Sequence, residues 1–485
     1  MTAATQSKRT PVILTVLVVT LGSTATILPA SAAGQARVTQ APATPPEFKN
    51  LRFDERWTAA NRTGRWDNAI KAIPISGGAS TTLSVGGQAR WRDEWFHAFN
   101  FTPQNDLHGQ SRLLLHADLQ TGNPARLHGR LFTELRDAQS YGRSLPGGVR
   151  PTDADRHDVQ NLFVDLAWGA SFLRVGRQEI AINRERLFGV PDWANTRRGS
   201  QGTRLQIARY GLIVEAMDAR PLLVKHTHAN LADSAARFRT LSLGNAPSMS
   251  PRPTIVPMTW QGFVYEQTTR NSTARTHRIT SGGRALWQWG RSPKRRRYSV
   301  DLEGATQHGR TGTSTIDAWF FVAESQVIAT QLLGAPTLAL GIDLASGDKA
   351  ATPAAREGFA VLYPAAHAHG GYADVLGRTN VRELHAISTW DPFAPLSLRA
   401  AWYRFDRMRL DDGVYTKQTA LFRAAHGSTA RHAADELDIT GTWKVTRHLR
   451  IIAGGAVVLP GAFLRDTPGG ARTERWAFTG STFTF

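Results

Sequence analysis

The stretch ARLHGRLFTELRDA, residues 125–138, sets Leu127, Gly129, Leu131 and Leu135 against Arg126, His128, Arg130, Glu134 and Arg136. A side-chain period of two belongs to an extended strand, whose successive side chains leave opposite faces. One such strand suits a solvated sandwich as well as a membrane barrel. The rest of the chain decides between them.

Working outward, the same alternation runs from Thr82 to the end of the chain. In TTLSVGGQARWRDEW (81–95), Leu83, Val85, Ala89 and Trp91 oppose Gln88, Arg90, Arg92 and Glu94. In SRLLLHADLQ (111–120), Leu113, Leu115, Ala117 and Leu119 oppose Arg112, His116 and Asp118. RITSGGRALWQW (278–289) puts Ile279, Ala285, Trp287 and Trp289 opposite Arg278 and Arg284, and ELDITGTWKV (436–445) puts Leu437, Ile439 and Trp443 opposite Asp438 and Lys444. About eighteen such segments of roughly 9–14 residues follow one another, a length that carries a tilted strand across a bilayer. The segment near Phe238 to Leu243 fits poorly, which leaves the count open by one hairpin.

The connections sort by length. Short ones fall at 121–125, 168–171, 210–211, 391–396 and 446–448; long ones fall at 96–109, 138–157, 183–202, 346–380, 408–433 and 460–472. Short turns at one end and long loops at the other predict an all-β, antiparallel, up-and-down transmembrane barrel of the outer-membrane type. The last strand, RWAFTGSTFTF, ends on Phe485 with Phe483 two residues before it, which resembles the signal read by the barrel assembly machinery and puts the C-terminus on the periplasmic side.

The front of the chain agrees. Lys8 and Arg9 precede an apolar run from Val12 to Leu28 and then Ala30-Ser31-Ala32, the order of a secretory signal peptide. The expected organisation is a signal peptide over 1–32, a linker and periplasmic N-terminal segment over 33–80, and a barrel over 81–485. There is no cysteine, hence no disulfide framework and no thiolate metal site. The chain carries 58 Lys+Arg against 39 Asp+Glu, a formal +19. That excess favours anionic partners, and export argues against nucleic acid.

Several stretches resemble the alginate-export family of outer-membrane porins: LSVGGQARWRDEWF (83–96), RLLLHADLQTG (112–122), VQNLFVDLAW (159–168), FLRVGRQEIAINRERL (172–187), RRGSQGTRL (197–205), LASGD (344–348), LYPAAHAHGGYADVLGRTNV (362–381) and ADELDITGTWKV (434–445). The resemblance covers nearly the whole mature chain. It implies a monomeric barrel of about eighteen strands with an arginine-rich lumen, and passage of an anionic polysaccharide such as alginate.

With lipid outside, the apolar set faces out and the charged set faces the lumen. The expected pore lining is Arg90, Arg92, Arg112, His116, Asp118, Arg126, Arg130, Glu134, Arg136, Arg174, Arg204, Arg278, Arg284, Asp438 and Lys444. A guanidinium offers a carboxylate a planar fork and stays charged at physiological pH, so a row of them could hand an acidic polymer along. The competing reading pairs these arginines with Glu94, Asp118, Glu134 and Asp438 across strands, where they only stiffen the wall. Uptake of small organic anions or acidic oligosaccharides would give the same lining, because direction is not written in a sequence.

Other motifs read more plainly. In RVGRQE (174–179), Arg177 and Glu179 are expected as a structural pair at the rim, with Gly176 a bulge site. KRRR (294–297) reads as a solvated periplasmic turn. His367 and His369 are two imidazoles, too few for a metal site. A hydrolase with loop-borne residues is the reading of another class, but no G-x-S-x-G elbow occurs. The expectation is a channel in the cell outer membrane, contacting lipid, without catalysis and without a cofactor.

Overall fold

Strands in hydrocarbon satisfy their backbone only when both edges are paired, so a spanning sheet has to close. The computed structural model describes residues 45–485 except 60, 61, 63, 64, 76–79, 124, 125, 227, 246–257, 291–295 and 350–354. The expected signal peptide, most of the linker, and Lys294 and Arg295 of the KRRR motif lie outside the described residues.

Eighteen strands of the described residues form the wall. They are β1 (Thr81–His97), β2 (Asp106–Gly122), β3 (Leu127–Tyr141), β4 (Asp155–Trp168), β5 (Ser171–Gln178), β6 (Ser200–Arg209), β7 (Leu212–Leu223), β8 (Ala236–Gly244) and β9 (Met258–Arg270). The other half is β10 (Arg275–Trp289), β11 (Arg297–Thr311), β12 (Ser314–Ile328), β13 (Thr337–Ala345), β14 (Val381–Phe393), β15 (Leu396–Arg407), β16 (His432–Lys444), β17 (Leu449–Pro460) and β18 (Glu474–Thr484). Each pairs antiparallel with its neighbour, and β18 closes on β1 from Gln88 opposite Thr484 to His97 opposite Arg475. The poorly patterned segment is a full member: β8 pairs with both β7 and β9.

One rim carries the connections 98–105, 142–154, 179–199, 346–380, 408–431 and 461–473; the other carries 123–126, 169–170, 210–211, 394–395 and 445–448. The sorting is incomplete: 271–274 and 312–313 on the loop rim are as short as turns, and 245–257 and 329–336 on the turn rim are as long as loops. The apolar set faces out as the alternation requires: Leu127, Leu131 and Leu135 are exposed, while Phe132, Glu134 and Arg136 are buried. Exposed Trp168, Trp289, Tyr298, Trp390, Trp443 and Phe483 gather towards the turn rim, and Trp91, Trp95, Tyr141, Trp319 and Trp402 towards the loop rim. Those are the two interfacial girdles of a barrel in a bilayer.

The hydrophobic core lies inside the barrel. The connection 179–199 folds inward, and Phe188 packs against Phe238 of β8 (5.0 Å between ring centres), Tyr265 of β9 (5.2 Å) and Tyr363 of the connection 346–380 (5.3 Å). The two connections also pair as backbone, Tyr363 N–H to Leu187 O and Gly189 N–H to Tyr363 O, each 2.8 Å. From the other side comes the segment ahead of β1. Its Phe53 meets Phe132 (5.7 Å) and Phe163 (5.4 Å) edge-on, and its Arg52 donates to the carbonyl of Phe485 (2.9 Å). Lys71 donates to Val85 O (2.6 Å), an approach that Gly86 permits because a Cβ there would collide with Lys71 Nζ.

Leu131→Arg puts a charge on the lipid face and is expected to cost about 2–4 kcal/mol near the bilayer midplane. Its neighbour Phe132→Ala leaves the lipid face alone and opens a hole beneath Phe53. On heat-modifiability gels, Leu131→Arg is expected to lower the folded fraction, whereas Phe132→Ala inserts but loosens the N-terminal segment to protease. Normal insertion of Leu131→Arg would invert the facing.

Candidate functional site

Register places Arg90 of β1 directly opposite Arg112 of β2, both on the lumen side. Like charges directly opposite destabilise a sheet, so this pair requires compensation. The inward connection supplies it. Arg90 donates to the carbonyls of Asp192 (2.6 Å), Trp193 and Ala194 (both 3.3 Å) and to Asn195 Oδ1 (3.2 Å). Arg112 donates to Asp192 Oδ1 and to Gln88 Oε1, both at 2.8 Å. Arg92 donates to Trp193 O (2.6 Å), pairs with Glu94 (2.7 Å) and lies 3.9 Å over the Trp193 ring. Asn195 pins the connection to the wall through Ser111 O, Gln139 O and Asp153 O at 2.9–3.0 Å.

Three guanidinium groups, Arg90, Arg92 and Arg112, thus meet two carboxylates, Glu94 and Asp192, where a loop crosses the lumen. Burial would raise the Asp192 carboxyl, but Arg112, Arg197 and Arg90 hold it well below the ordinary carboxylate range. Arg197 belongs to the same loop and pairs with Glu179 (2.7 Å) and Glu134 (3.4 Å). Trp193 continues the contact sideways: His367 stacks 4.3 Å from it and Tyr372 4.3 Å beyond, joining the two inward connections.

The remaining expected residues divide by partner. Arg130 binds Asp118 (2.7 Å), Arg174 binds Asp165 (2.7 Å), Arg284 binds Asp301 (2.8 Å), Arg204 binds Glu215, and Arg136 binds Asp155 and Gln160. Asp438 faces Arg399 (3.6 Å), and among the described residues Arg278 donates to Gln267 (2.8 Å) alone. His116 stacks on Phe132 (5.6 Å). Lys444 borders a cavity of about 450 Å³ on the turn side. Arg126 is exposed in the turn ahead of β3, outside the wall.

One expectation is corrected. Arg177 and Glu179 are not a pair: Arg177 reaches Asp158 (3.1 Å) and Asn230 O (2.7 Å), while Glu179, where the chain leaves β5, turns inward to Arg197, Gln160 and Asn161. His367 and His369 do not converge, because His369 bonds Arg184 O and His367 is enclosed between two aromatic rings. Arg399 was legible from the alternation of β15, where Leu398, Ala400 and Trp402 point out. Asp192 to Asn195 had no periodic signal at all.

A closed barrel with an apolar exterior, aromatic girdles and a charged lumen crossed by loops is an outer-membrane porin, a channel and not an enzyme. The chain belongs to the Alginate export family, whose sequence profile matches residues 81–478. In fold it is similar to Pseudomonas aeruginosa OccK3 (OpdO), at 14% identity over 83% of this chain and 95% of that one, with a TM-score of 0.54. It is also similar to the outer membrane protein OpdK of Pseudomonas aeruginosa (12%, 83% and 99%, TM-score 0.55) and to OccK2 (OpdF) from the same organism in complex with glucuronate (TM-score 0.54). No curated protein matches the chain.

The seated loop has a pH limit. Burial pushes the Glu185 carboxyl from 4.5 up to about 7; Asp192 and Glu179 add to the rise, while the Val190 N–H and Arg197 oppose it. The seated state therefore holds a proton that the released loop gives up. This stabilisation is full below the unfolded value and is lost as pH rises through about 7. Channel conductance is expected to rise between pH 6 and 8 (about one unit either side of that value), and Glu185→Gln should flatten the profile.

Proposed function

We propose that this porin is anion-selective and passes small organic anions, acidic sugars among them, by diffusion. The observation that carries the reading is Arg90: half-buried beside Arg112 where the loop crosses the lumen, it has carbonyl and amide partners but no carboxylate among the described residues. Fixed positive charge in a narrow lumen concentrates anions, and a guanidinium that binds carbonyls can exchange them for a passing carboxylate. Neighbours in the same fold were solved with vanillate and with glucuronate. The turn rim, with the C-terminus, faces the periplasm, and the chain works as a monomer assembled by the barrel machinery.

A second reading, export of an alginate-like polymer, is favoured by the family description. It requires the inward connections and the N-terminal segment to withdraw, since they fill the lumen together.

Reversal potentials in planar bilayers test the proposal. Anion preference is expected at 0.1 M salt, with a Debye length of about 10 Å, and should shrink towards 1 M, where it is about 3 Å. Arg90→Gln with Arg112→Gln should weaken the preference severalfold. A cation-selective wild-type channel overturns the reading.

A further inference from the structure

Three pairs of cations face each other across neighbouring strands inside this barrel. In the first, Arg112 holds the Asp192 carboxylate while Arg90 takes loop carbonyls, and in the second Arg174 and Arg204 are neutralised by Asp165 and Glu215. The third pair is Lys444 of β16 and Arg450 of β17, in direct register beside the turn 445–448. Neither has an ion pair or a side-chain hydrogen bond among the described residues. A like-charge pair left unneutralised works against the hairpin that carries it.

The pair opens into the cavity of about 450 Å³, which Lys49, Asn50, Thr482 and Thr484 also line. Lys49, too, has no ion pair among the described residues. The acidic groups at the cavity are Glu47, which is exposed, and Asp192, which is held by Arg112 and Arg197. The turn between the pair is tied to the N-terminal segment: Arg447 bonds Asp67 (3.2 Å) and Pro46 O (2.9 Å) and lies 4.8 Å over the Phe48 ring. A volume in this range holds one or two sugar rings. Two chain segments contribute the three cations, Lys49 from one and Lys444 and Arg450 from the other, and hydroxyl and amide groups line the same cavity.

We propose that this cavity is a binding site for the carboxylate of an acidic sugar, formed jointly by the N-terminal segment and the β16–β17 hairpin. Lys444 and Arg450 hold the carboxylate, Lys49 closes over it, and Asn50, Thr482 and Thr484 meet the ring hydroxyls. The site rests on the anion-selective reading and adds a station to it: an anion seated here lies beneath Asp192, one step from Arg112 and Arg90. The N-terminal segment then belongs to the channel's selectivity and is more than a stopper.

The test titrates D-glucuronate against the full-length protein in detergent, with D-glucose as the neutral control, and records reversal potentials on the same preparations. Lys444→Gln with Arg450→Gln is expected to weaken glucuronate binding at least tenfold, and Lys49→Gln to weaken it severalfold. Glucose is expected not to bind. Arg450→Glu gives Lys444 a carboxylate partner, so it should abolish binding while raising the temperature of the heat-modifiability transition. Unchanged glucuronate affinity in Lys444→Gln/Arg450→Gln overturns the site even if the channel stays anion-selective, as does equal binding of glucose. A cation-selective wild-type channel instead overturns the reading beneath it.

Discussion

Closure of the sheet is the constraint from which the rest follows. With no water at the wall, each strand has to pair on both edges, and β18 has to find β1. Once closed, the barrel has two surfaces of opposite chemistry, and alternation assigns every strand residue to one of them. The arginines enter the lumen because the leucines between them cannot.

Closure also creates a difficulty that the inserted segments resolve. Neighbouring strands that each turn an arginine inward bring like charges face to face, as Arg90 and Arg112 show. Buried charge without partners is costly. The connection 179–199 answers with the Asp192 carboxylate and a run of backbone carbonyls, and the same loop carries Phe188 into the aromatic cluster. Electrostatic compensation on one side of the lumen and hydrophobic packing on the other are met by one piece of chain. That coupling explains why the loop sits inside the barrel at all.

Most of the lumen charge is structural. Arg130, Arg136, Arg174, Arg204 and Arg284 have carboxylate partners, so the freely available charge is confined to a few places. A transport path is therefore defined less by how many arginines face inward than by which of them lack an acid. Arg90 at the loop crossing and the Lys444–Arg450 pair at the turn-side mouth meet that condition.

By itself the sequence determined the class of fold and the facing of the strand residues, because these depend on a period of two. It placed Arg130 inward and Leu131 outward without further help. Arg126 misled because alternation was extended one residue past the strand into a turn, where facing has no meaning. Which arginines are neutralised was decided by tertiary structure alone: Arg197, Asp192 and Glu179 meet the wall through a loop that has no period, and Arg52 reaches Phe485 across almost the whole chain. Periodicity records what one strand presents to its two surroundings. Partners that come from distant segments depend on closure of the barrel, and only the closed structure brings them together.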